Sequence, residues 1–393
     1  MRAGSLRAMK STFDVAVVGC GVHGAAAAFH LARRGVSVVV IERWQPAAGP
    51  TGRSSAVCRA YYTNLFLAAC ARDSIAMLER FAEETGVDAG LRRTGFVYLH
   101  GPRDADAVRV SVGRLREIGV EVRTLEGDEL AAALPGAVLD DVGVAAYEGG
   151  AGYADPHATT DGLVKGAVAA GASTRFGRTV TALSPVTPAG ALLTLDDGES
   201  IAAGRVLLAA GPWTRPLAQQ AGADLPLTVE RHVVATFRWG GAEPVHAHSD
   251  LIRGNYYFRP EGEDLFLMGP LLPEPTVDPD DIDEQISPAE VERLGSAAIA
   301  RVPRLEVAEV ARGWASLYDV SPDWQPVIGQ IAPGVFVDAG TSGHGFKLAP
   351  ALGGHVAGMV LGEAVPELEA FDPFRFRAGA PLAAGYGDAK ILG

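Results

Sequence analysis

A glycine-rich turn with the sequence GCGVHG limits what this chain can fold into more than any other segment. It lies between an apolar run, residues 13–19, which predicts a buried parallel strand, and an alanine-rich segment, residues 25–34, which predicts a helix. In the pattern G-x-G-x-x-G the first glycine permits a tight turn, the second lets a phosphate approach the backbone, and the third lets helix and strand pack closely. Gly19, Gly21 and Gly24 occupy these three positions.

A second predicted strand, residues 36–41, completes a β-α-β unit and is followed by Glu42. A carboxylate at this point accepts hydrogen bonds from a ribose diol, and the helix N-terminus adds partial positive charge that favours a pyrophosphate. The unit therefore predicts a dinucleotide-binding site. Its position does not separate FAD from NAD, but an acidic residue in place of a basic one argues against the 2′-phosphate of NADP.

The rest of the chain alternates between two kinds of pattern. Residues 205–210 and 334–339 are typical of buried parallel strands, whereas residues 227–272 alternate as antiparallel strands do. Two helix starts are marked by capping sequences, at Asp155 and at Ser287–Glu290. Because 393 residues exceed a single simple core, the sequence predicts one domain assembled from separated segments and a second assembled from the insertions between them.

The composition argues against several classes of function. The formal net charge is −13 without a basic cluster, which disfavours nucleic acids and anionic membranes as partners. No apolar stretch approaches the roughly 20 residues that a membrane span needs. The cysteines show no pairing pattern, which predicts a reducing, cytoplasmic location. No metal is expected, because the metal-like spacing His246-x-His248 lacks further cysteine or carboxylate ligands.

The sequence contains four motifs in order: DVAVVGCGVHGAAAAFHLARRGVSVVVIER, GPTGRSSAVCRAYY, RVLLAAGPW, and GWASLYDVSPDWQPVIG continuing to GTSGHGFKLAP. In this order and spacing the chain resembles the D-amino-acid-oxidase (DAO) superfamily of flavoproteins, and within it the sarcosine oxidase and glycine oxidase branch. The resemblance extends over residues 13–363. It implies an α/β fold with a Rossmann-type, glutathione-reductase-like FAD-binding domain, and an α+β substrate domain whose antiparallel sheet covers the flavin.

The resemblance also implies domain limits and cofactor contacts. The FAD-binding domain would comprise residues 12–90, 145–225 and 308–370, the substrate-binding domain 91–144 and 226–307, and the tails 1–11 and 371–393. A glycine-rich loop near the C-terminus would aim backbone N–H groups at the flavin edge where reduction leaves negative charge. The residues expected along FAD are Gly19, Gly21, Gly24, Glu42, Arg43, Arg53, Ser54, Ser55, Val180, Ala210, Gly211, Gly343, His344, Gly345, Phe346 and Lys347.

The resemblance further implies how a substrate is held. In the sarcosine oxidase branch a lysine and an arginine bind the substrate carboxylate, and these positions fall on Lys347 and Arg59. Two cations fix the orientation of a carboxylate as well as its charge. Tyr257 and Tyr318 complete the predicted catalytic set. Because neighbouring residues of a strand point to opposite faces, Tyr256 and Tyr257 cannot both face the substrate, and Tyr257 is preferred.

The predicted reaction is oxidation of the C–N bond of a small amino acid or secondary amino acid, similar to sarcosine, glycine, proline or a D-amino acid. A hydride equivalent passes to flavin N5 and leaves an imine. Ser316 occupies the position at which some sarcosine oxidases attach the flavin to a cysteine, so non-covalent FAD is expected. Leu265, Leu267 and Met268 occupy the segment in which those oxidases carry a lysine that promotes reaction with oxygen. The electron acceptor is therefore left open between O2 and a quinone or protein.

Two alternative functions remain open from the sequence. A 2-hydroxy-acid dehydrogenase of the same fold would use the same pair of cations with an alcohol in place of the amine. A nucleotide-binding subunit without chemistry of its own would need only the dinucleotide site. The sequence also leaves open whether the chain works alone, as a homodimer or as a subunit of a complex.

Overall fold

The structure is a computed structural model that describes residues 11–184, 190–240, 245–377 and 379–382. In these residues the α-helices are α1 (Val22–Arg33), α2 (Leu65–Glu79), α3 (Phe81–Thr85), α4 (Ala105–Glu117), α5 (Gly127–Ala133), α6 (Pro156–Ala169), α7 (Thr214–Gln220), α8 (Pro288–Arg301) and α9 (Gly345–Leu361). The strands are β1 (Ser11–Val18), β2 (Val38–Glu42), β3 (Val57–Cys58), β4 (Arg92–Arg93), β5 (Phe96–His100), β6 (Val122–Leu125), β7 (Val144–Glu148), β8 (Gly152–Tyr153), β9 (Ser173–Phe176), β10 (Val180–Leu183), β11 (Ala191–Leu195), β12 (Ser200–Leu208), β13 (Thr228–Arg238), β14 (His248–Asp250), β15 (Tyr256–Glu261), β16 (Leu265–Pro270), β17 (Glu309–Val320), β18 (Val327–Ala332) and β19 (Val335–Ala339).

The first sheet is mostly parallel and is built around β1. Its strand order is β10-β11-β12-β1-β2-β9, with β19 paired to β12 and to β18. β1 runs parallel to β2 and to β12. Parallel neighbours need a crossover connection, which α1 supplies between β1 and β2. The strand, helix and strand predicted for the start of the chain are therefore confirmed.

Helix α1 is enclosed by its neighbours because its side chains are small. Residues 25–28 are alanines without exposed surface, and the helix packs against α6 and α9 as well as the sheet. A Cβ on Gly353 of α9 would lie less than 3.0 Å from Ala26 of α1, so the two helices approach closely at this point. This packing brings the start of α9 to the glycine-rich turn.

The region after α6 differs from the prediction in how its turns are used. The sequence predicts a hairpin from residues 179–183 and 191–195, and β10 and β11 do pair antiparallel. The turn at residues 196–198, however, joins β11 to β12, so a third strand continues the meander. β12 begins at Ser200, earlier than the predicted start at 205, because its first residues pair antiparallel with β11.

The second sheet has the order β17-β13-β16-β15-β14-β5-β7-β6, and β14 and β5 form its parallel pair. The antiparallel pattern predicted for residues 227–272 is confirmed. Its two faces differ in what covers them. Val233 and Phe237 pack with α8, whereas Val234 and Leu267 belong to the core that contains α1 and α9. One face of this sheet is therefore turned toward the nucleotide-binding elements. A small third sheet has the order β3-β8-β4.

Both predicted helix caps are confirmed. The Asp155 side chain accepts hydrogen bonds from the backbone N–H groups of His157 and Ala158, and Ser287 and Glu290 form a capping box at the start of α8. The domain limits stay a prediction. Two strands that they assign to the FAD-binding part, β7 and β17, pair within the second sheet, because their hydrogen-bond partners are β5, β6 and β13.

Candidate active site

The glycine-rich turn needs glycine at two of its three motif positions for lack of space. Gly19 has a φ of 103°, and a Cβ there would lie less than 3.0 Å from the carbonyl of Ala209 at the end of β12. A Cβ on Gly24 would lie equally close to the carbonyl of Gly19. The turn is thus pressed closely between α1 and β12.

Glu42 is held beside this turn by backbone donors. Its Oε2 accepts a hydrogen bond of 2.7 Å from Cys20 N, and its Oε1 accepts one of 2.9 Å from Trp44 N. The hydroxyl oxygen of Thr51 accepts a hydrogen bond of 3.1 Å from Val22 N, at the first turn of α1. Backbone N–H groups therefore fix the carboxylate in position. In the described ranges no cationic side chain forms an ion pair with it.

A cleft of ≈ 370 Å³ runs along the carboxyl edge of the first sheet. It begins at Glu42 and Val180 and ends at Tyr318 and Phe346, so it connects the predicted adenine end with the predicted flavin end. The cofactor residues that line it are Gly19, Gly21, Glu42, Arg43, Ser54, Val180, Ala210, Gly211, Gly343, Gly345 and Phe346. The other five cofactor residues lie outside this lining: Gly24, Arg53, Ser55, His344 and Lys347.

Arg53 points away from the cleft. Its guanidinium forms an ion pair of 2.6 Å with Glu284, and its carbonyl accepts a hydrogen bond of 2.9 Å from Trp314 Nε1. Arg53 therefore connects the turn before β3 to the second sheet, and a direct contact of its side chain with the dinucleotide stays a prediction.

The loop between β19 and α9 is shaped by Asp319. Its carboxylate accepts hydrogen bonds from Gly340 N at 2.7 Å and from the Thr341 hydroxyl at 3.2 Å. Gly343 has a φ of 81°, and a Cβ there would lie less than 3.0 Å from the ring of Tyr318. The loop can approach this ring only because glycine stands at that position.

A buried histidine joins the glycine-rich turn to the same loop. His23 Nδ1 lies 2.9 Å from Asp338 Oδ2, and its Nε2 lies 3.1 Å from the Gly345 carbonyl. A carboxylate and a backbone carbonyl accept hydrogen bonds, so this pair of partners favours a ring that donates from both nitrogens. Burial by itself lowers the pKa of His23, but the Asp338 carboxylate outweighs burial and raises the pKa above its ordinary value.

The two predicted substrate cations, Arg59 and Lys347, are buried together, with exposed fractions of 4% and 6%. Arg59 Nη1 donates a hydrogen bond of 2.7 Å to the Tyr61 carbonyl, and its guanidinium lies 4.6 Å from the ring centroid of Tyr62. Lys347 Nζ lies 3.4 Å from the His344 carbonyl. Burial, and after it the charge of Arg59, holds the pKa of Lys347 well below its usual value. The fold thus buries two basic side chains close enough for the charge of one to lower the pKa of the other.

Glu148 is a buried carboxylate beside these cations that sequence reasoning missed. Its Oε1 accepts a hydrogen bond of 2.7 Å from Ala60 N, and its Oε2 accepts bonds from Tyr61 N at 3.1 Å and from the Tyr98 hydroxyl at 2.9 Å. Burial raises the pKa of Glu148, and these donors together with Arg59 oppose that rise. The sequence signal was small: an acidic residue directly after the short apolar run 144–147, for which no strand was predicted.

The orientation of the tyrosines on β15 follows from strand alternation. Tyr256 has no exposed surface, and its hydroxyl bonds to His248 Nε2 at 3.0 Å within the core that α8 covers. Tyr257 belongs to the opposite face, where burial raises its pKa and a hydrogen bond with Ser55 opposes that rise. Tyr257 and Tyr318 therefore lie on the cofactor-facing side of the second sheet, and their catalytic role stays a prediction.

Two further polar side chains reach this face and were not predicted. The ring of His232 stacks on Tyr318 with centroids 3.9 Å apart, and its Nε2 lies 3.0 Å from Glu230 Oε2. Arg259 lies opposite Leu267 on the neighbouring strand, is 5% exposed and forms an ion pair with Glu261. Although the segment 265–268 carries no basic residue, its neighbour β15 does.

Among the described residues, no group of three or more His, Cys, Asp or Glu side chains is arranged to hold a metal ion. His248, part of the metal-like spacing, uses both ring nitrogens for hydrogen bonds to the His246 carbonyl and the Tyr256 hydroxyl. Burial lowers the pKa of His248 to about 4. The helices of the described residues also include none with the length and apolarity to span a bilayer.

These features define a dinucleotide-binding protein whose second sheet covers one end of the cofactor cleft. The family described as DAO, FAD dependent oxidoreductase, matches residues 14–359, and the chain belongs to this family. FAD is the cofactor of the family, and the chain fits it: the turn has no room for a Cβ at Gly19 or Gly24, Glu42 faces the ribose end, and the cleft is continuous.

The relatives with assigned activities differ in how much of their own length aligns with this chain. The chain is 27% identical over 403 residues to mitochondrial dimethylglycine dehydrogenase of Rattus norvegicus, which covers 97% of this chain and 46% of that protein. It therefore spans about half the length of that relative. The chain is also 27% identical over 362 residues to glycine oxidase of Geobacillus kaustophilus (strain HTA426), covering 90% of this chain and 94% of that protein.

Among solved structures, the crystal structure of L-proline dehydrogenase from P. horikoshii is similar to the chain. Its TM-score is 0.85 at 22% identity, and the match covers 95% of this chain and 100% of that chain. At this identity the likeness shows the fold. The predicted arrangement of a segmented FAD-binding part and an antiparallel sheet is confirmed at that level.

Proposed function

We propose that the chain oxidises the C–N bond of a small amino acid or secondary amino acid whose carboxylate is held by Arg59 and Lys347. The observation that supports this most is the burial of these two cations together, next to the cleft end formed by Tyr318 and Phe346. The chain's relatives include a dimethylglycine dehydrogenase and a glycine oxidase, whose names both specify an amino acid as the substrate.

The charges of the buried groups favour an anionic substrate. Arg59 and Lys347 are buried basic side chains, and Glu148 is a buried carboxylate beside them. A substrate carboxylate bound next to two basic side chains would gain favourable charge interactions that offset the burial of Lys347. A substrate carboxylate would therefore raise the pKa of Lys347 toward its ordinary value and bind the lysine in its charged form.

The chain's own residues would then orient the substrate and exclude water. Arg59 is fixed by its hydrogen bond to the Tyr61 carbonyl. Glu148 accepts hydrogen bonds from the N–H groups of Ala60 and Tyr61, the two residues after Arg59. Tyr62 is fully buried, and in the described part of the chain its hydroxyl has no hydrogen-bond partner, so it offers a further polar contact beside the cations. Bound FAD supplies the hydride acceptor, and the protein supplies position and electrostatics.

The experiment adds a candidate substrate to the purified FAD protein without oxygen. Reduction of the flavin is measured as the loss of its visible absorption. Sarcosine, dimethylglycine, glycine, proline and D-alanine should include a substrate that bleaches the flavin. Matched amines without a carboxylate, such as dimethylamine and pyrrolidine, should not. Bleaching by 2-hydroxy acids alone would replace the amine proposal with the hydroxy-acid alternative, and bleaching by the amines without a carboxylate would remove the role of the two cations.

The electron acceptor forms a separate part of the proposal. Arg259 brings a buried cation next to Leu267, but Glu261 neutralises it, so we propose that a quinone or protein acceptor reoxidises the flavin faster than O2 does. Reoxidation of the reduced protein by air and by a soluble quinone, measured at equal concentrations, tests this. Faster reoxidation by oxygen would show an oxidase.

A further inference from the structure

A segment that connects the second sheet to α8 lines part of the cofactor cleft. Residues 276–285, here called the strap, connect β16 to α8 and are anchored at both ends. Near the first end, Val277 N donates a hydrogen bond of 2.8 Å to the Val229 carbonyl on β13. Near the second end, Ala315 N on β17 donates one of 2.8 Å to the Glu284 carbonyl. Between these anchors the strap leaves the sheet and reaches toward the nucleotide-binding elements.

The middle of the strap meets both walls of the cleft through Asp280. Its Oδ1 accepts a hydrogen bond of 2.8 Å from Trp213 Nε1 and one of 3.1 Å from Arg43 Nη2. The Arg43 guanidinium lies over two indole rings that meet edge to face, 3.7 Å from the ring centroid of Trp44 and 4.1 Å from that of Trp213. These four residues, here called the latch, all line the cleft.

The latch residues belong to segments that flank the two halves of a bound dinucleotide. Arg43 and Trp44 directly follow Glu42, which ends β2 at the ribose end of the cleft. Trp213 lies two residues after Gly211, which together with Ala210 lines the cleft after β12. The strap is therefore a third segment that lines the cleft, beside the segments that follow β2 and β12.

We propose that the latch retains FAD, so that the cofactor leaves only after Asp280 has separated from Arg43 and Trp213. The hydrogen bonds to the Asp280 carboxylate stabilise the closed arrangement, and so do the cation–π contacts of Arg43 with the two indole rings. Simple electrostatics predicts the opposite effect, because a carboxylate close to a pyrophosphate repels it. The sign of the effect of removing Asp280 therefore separates a retaining role from a repulsive one.

The test is the rate at which FAD leaves the purified holoenzyme, with Asp280→Ala compared with Asp281→Ala. Both residues are exposed on the strap and both changes remove one negative charge, but in the described part of the chain Asp281 makes no side-chain hydrogen bond. FAD release is followed by the rise of free flavin fluorescence after dilution. We expect release from Asp280→Ala to be about fivefold faster than from the wild type, and release from Asp281→Ala to be unchanged.

Equal rates for the two variants, or slower release from Asp280→Ala, would overturn the latch. A second variant, Trp213→Phe, removes the indole donor and keeps an aromatic ring. If Asp280 and Trp213 act as one unit, the double variant releases FAD no faster than Asp280→Ala alone, whereas multiplied effects would show independent contacts. No substrate is present in these measurements, so a negative result leaves the proposed amine oxidation unaffected.

Discussion

Replacement of Lys347 by methionine separates a substrate-binding lysine from a solvated one. Methionine keeps an unbranched side chain of similar length and removes the ammonium. Lys347 is 6% exposed, and the charge of Arg59 lies close enough to lower its pKa. The variant therefore removes a charge that is unfavourable in the empty site and favourable only when an anion is bound.

The size of the effect follows from the interaction that is lost. A hydrogen bond to a charged group contributes about 1.5–3 kcal/mol, and each 1.4 kcal/mol is about tenfold in affinity. The Kd of an amino acid substrate should therefore rise about tenfold to hundredfold. The substrate-free protein should unfold at the same temperature as the wild type or a higher one, because a buried charge and its repulsion from Arg59 have been removed.

The assay is the rate of anaerobic flavin reduction as a function of substrate concentration, together with thermal unfolding without substrate. Lys165→Met is the matched control, since Lys165 is an exposed lysine of α6 and its loss should change neither quantity. The reasoning is refuted if Lys347→Met keeps full FAD content and binds the substrate within twofold of the wild type. It is also refuted if the variant is strongly destabilised without substrate, because the lysine would then have a stabilising partner in the empty site.

Three other changes test other parts of the site. Gly24→Ala places a Cβ less than 3.0 Å from a carbonyl of the turn, so the protein should be purified without FAD, whereas Gly113→Ala has open space and should keep full flavin absorbance. The raised pKa of His23 stabilises the fold below its unfolded-state pKa of about 6.5, and this stability is lost as the pH rises through the folded-state value. Urea unfolding should therefore show wild-type stability falling relative to His23→Gln as the pH rises above about 6.5. Glu148→Gln replaces one of the two acceptor oxygens by an amide NH2 group that faces one or two of the three donors, and it should cost about 1–3 kcal/mol in urea unfolding, with FAD content unchanged.

The sequence predicts the parts of this fold that depend on neighbours in the chain. The cap at Asp155 and the capping box at Ser287 involve residues within a few positions of one another, and the β-α-β unit is contained in one short continuous segment; all three are confirmed. Strand pairing across long loops is different. The parallel pair of β14 with β5 and the place of β7 in the second sheet depend on contacts between distant segments, which local periodicity does not encode.

The candidate site was predictable only where a motif carried it. Arg59 and Lys347 were predicted through a resemblance, and the structure buries them together. Glu148, Asp338 and Arg259 were not, because each becomes relevant through a partner far away in the sequence. A lone acidic or basic residue in an apolar strand has no spacing that would reveal such a partner.

Most strands of the second sheet that face the cofactor cleft come from one inserted part of the chain. β13, β15 and β16 come from one continuous stretch that leaves the first sheet after α7 and is completed by β17 before the chain returns at β18 and β19. Replacement of side chains on the inner face of that stretch leaves the phosphate-binding turn and its helix untouched. An engineer who wants a new amine specificity can therefore randomise positions such as 232, 257 and 267 as a module, and lineages can diversify by the same path while one dinucleotide cradle is inherited unchanged.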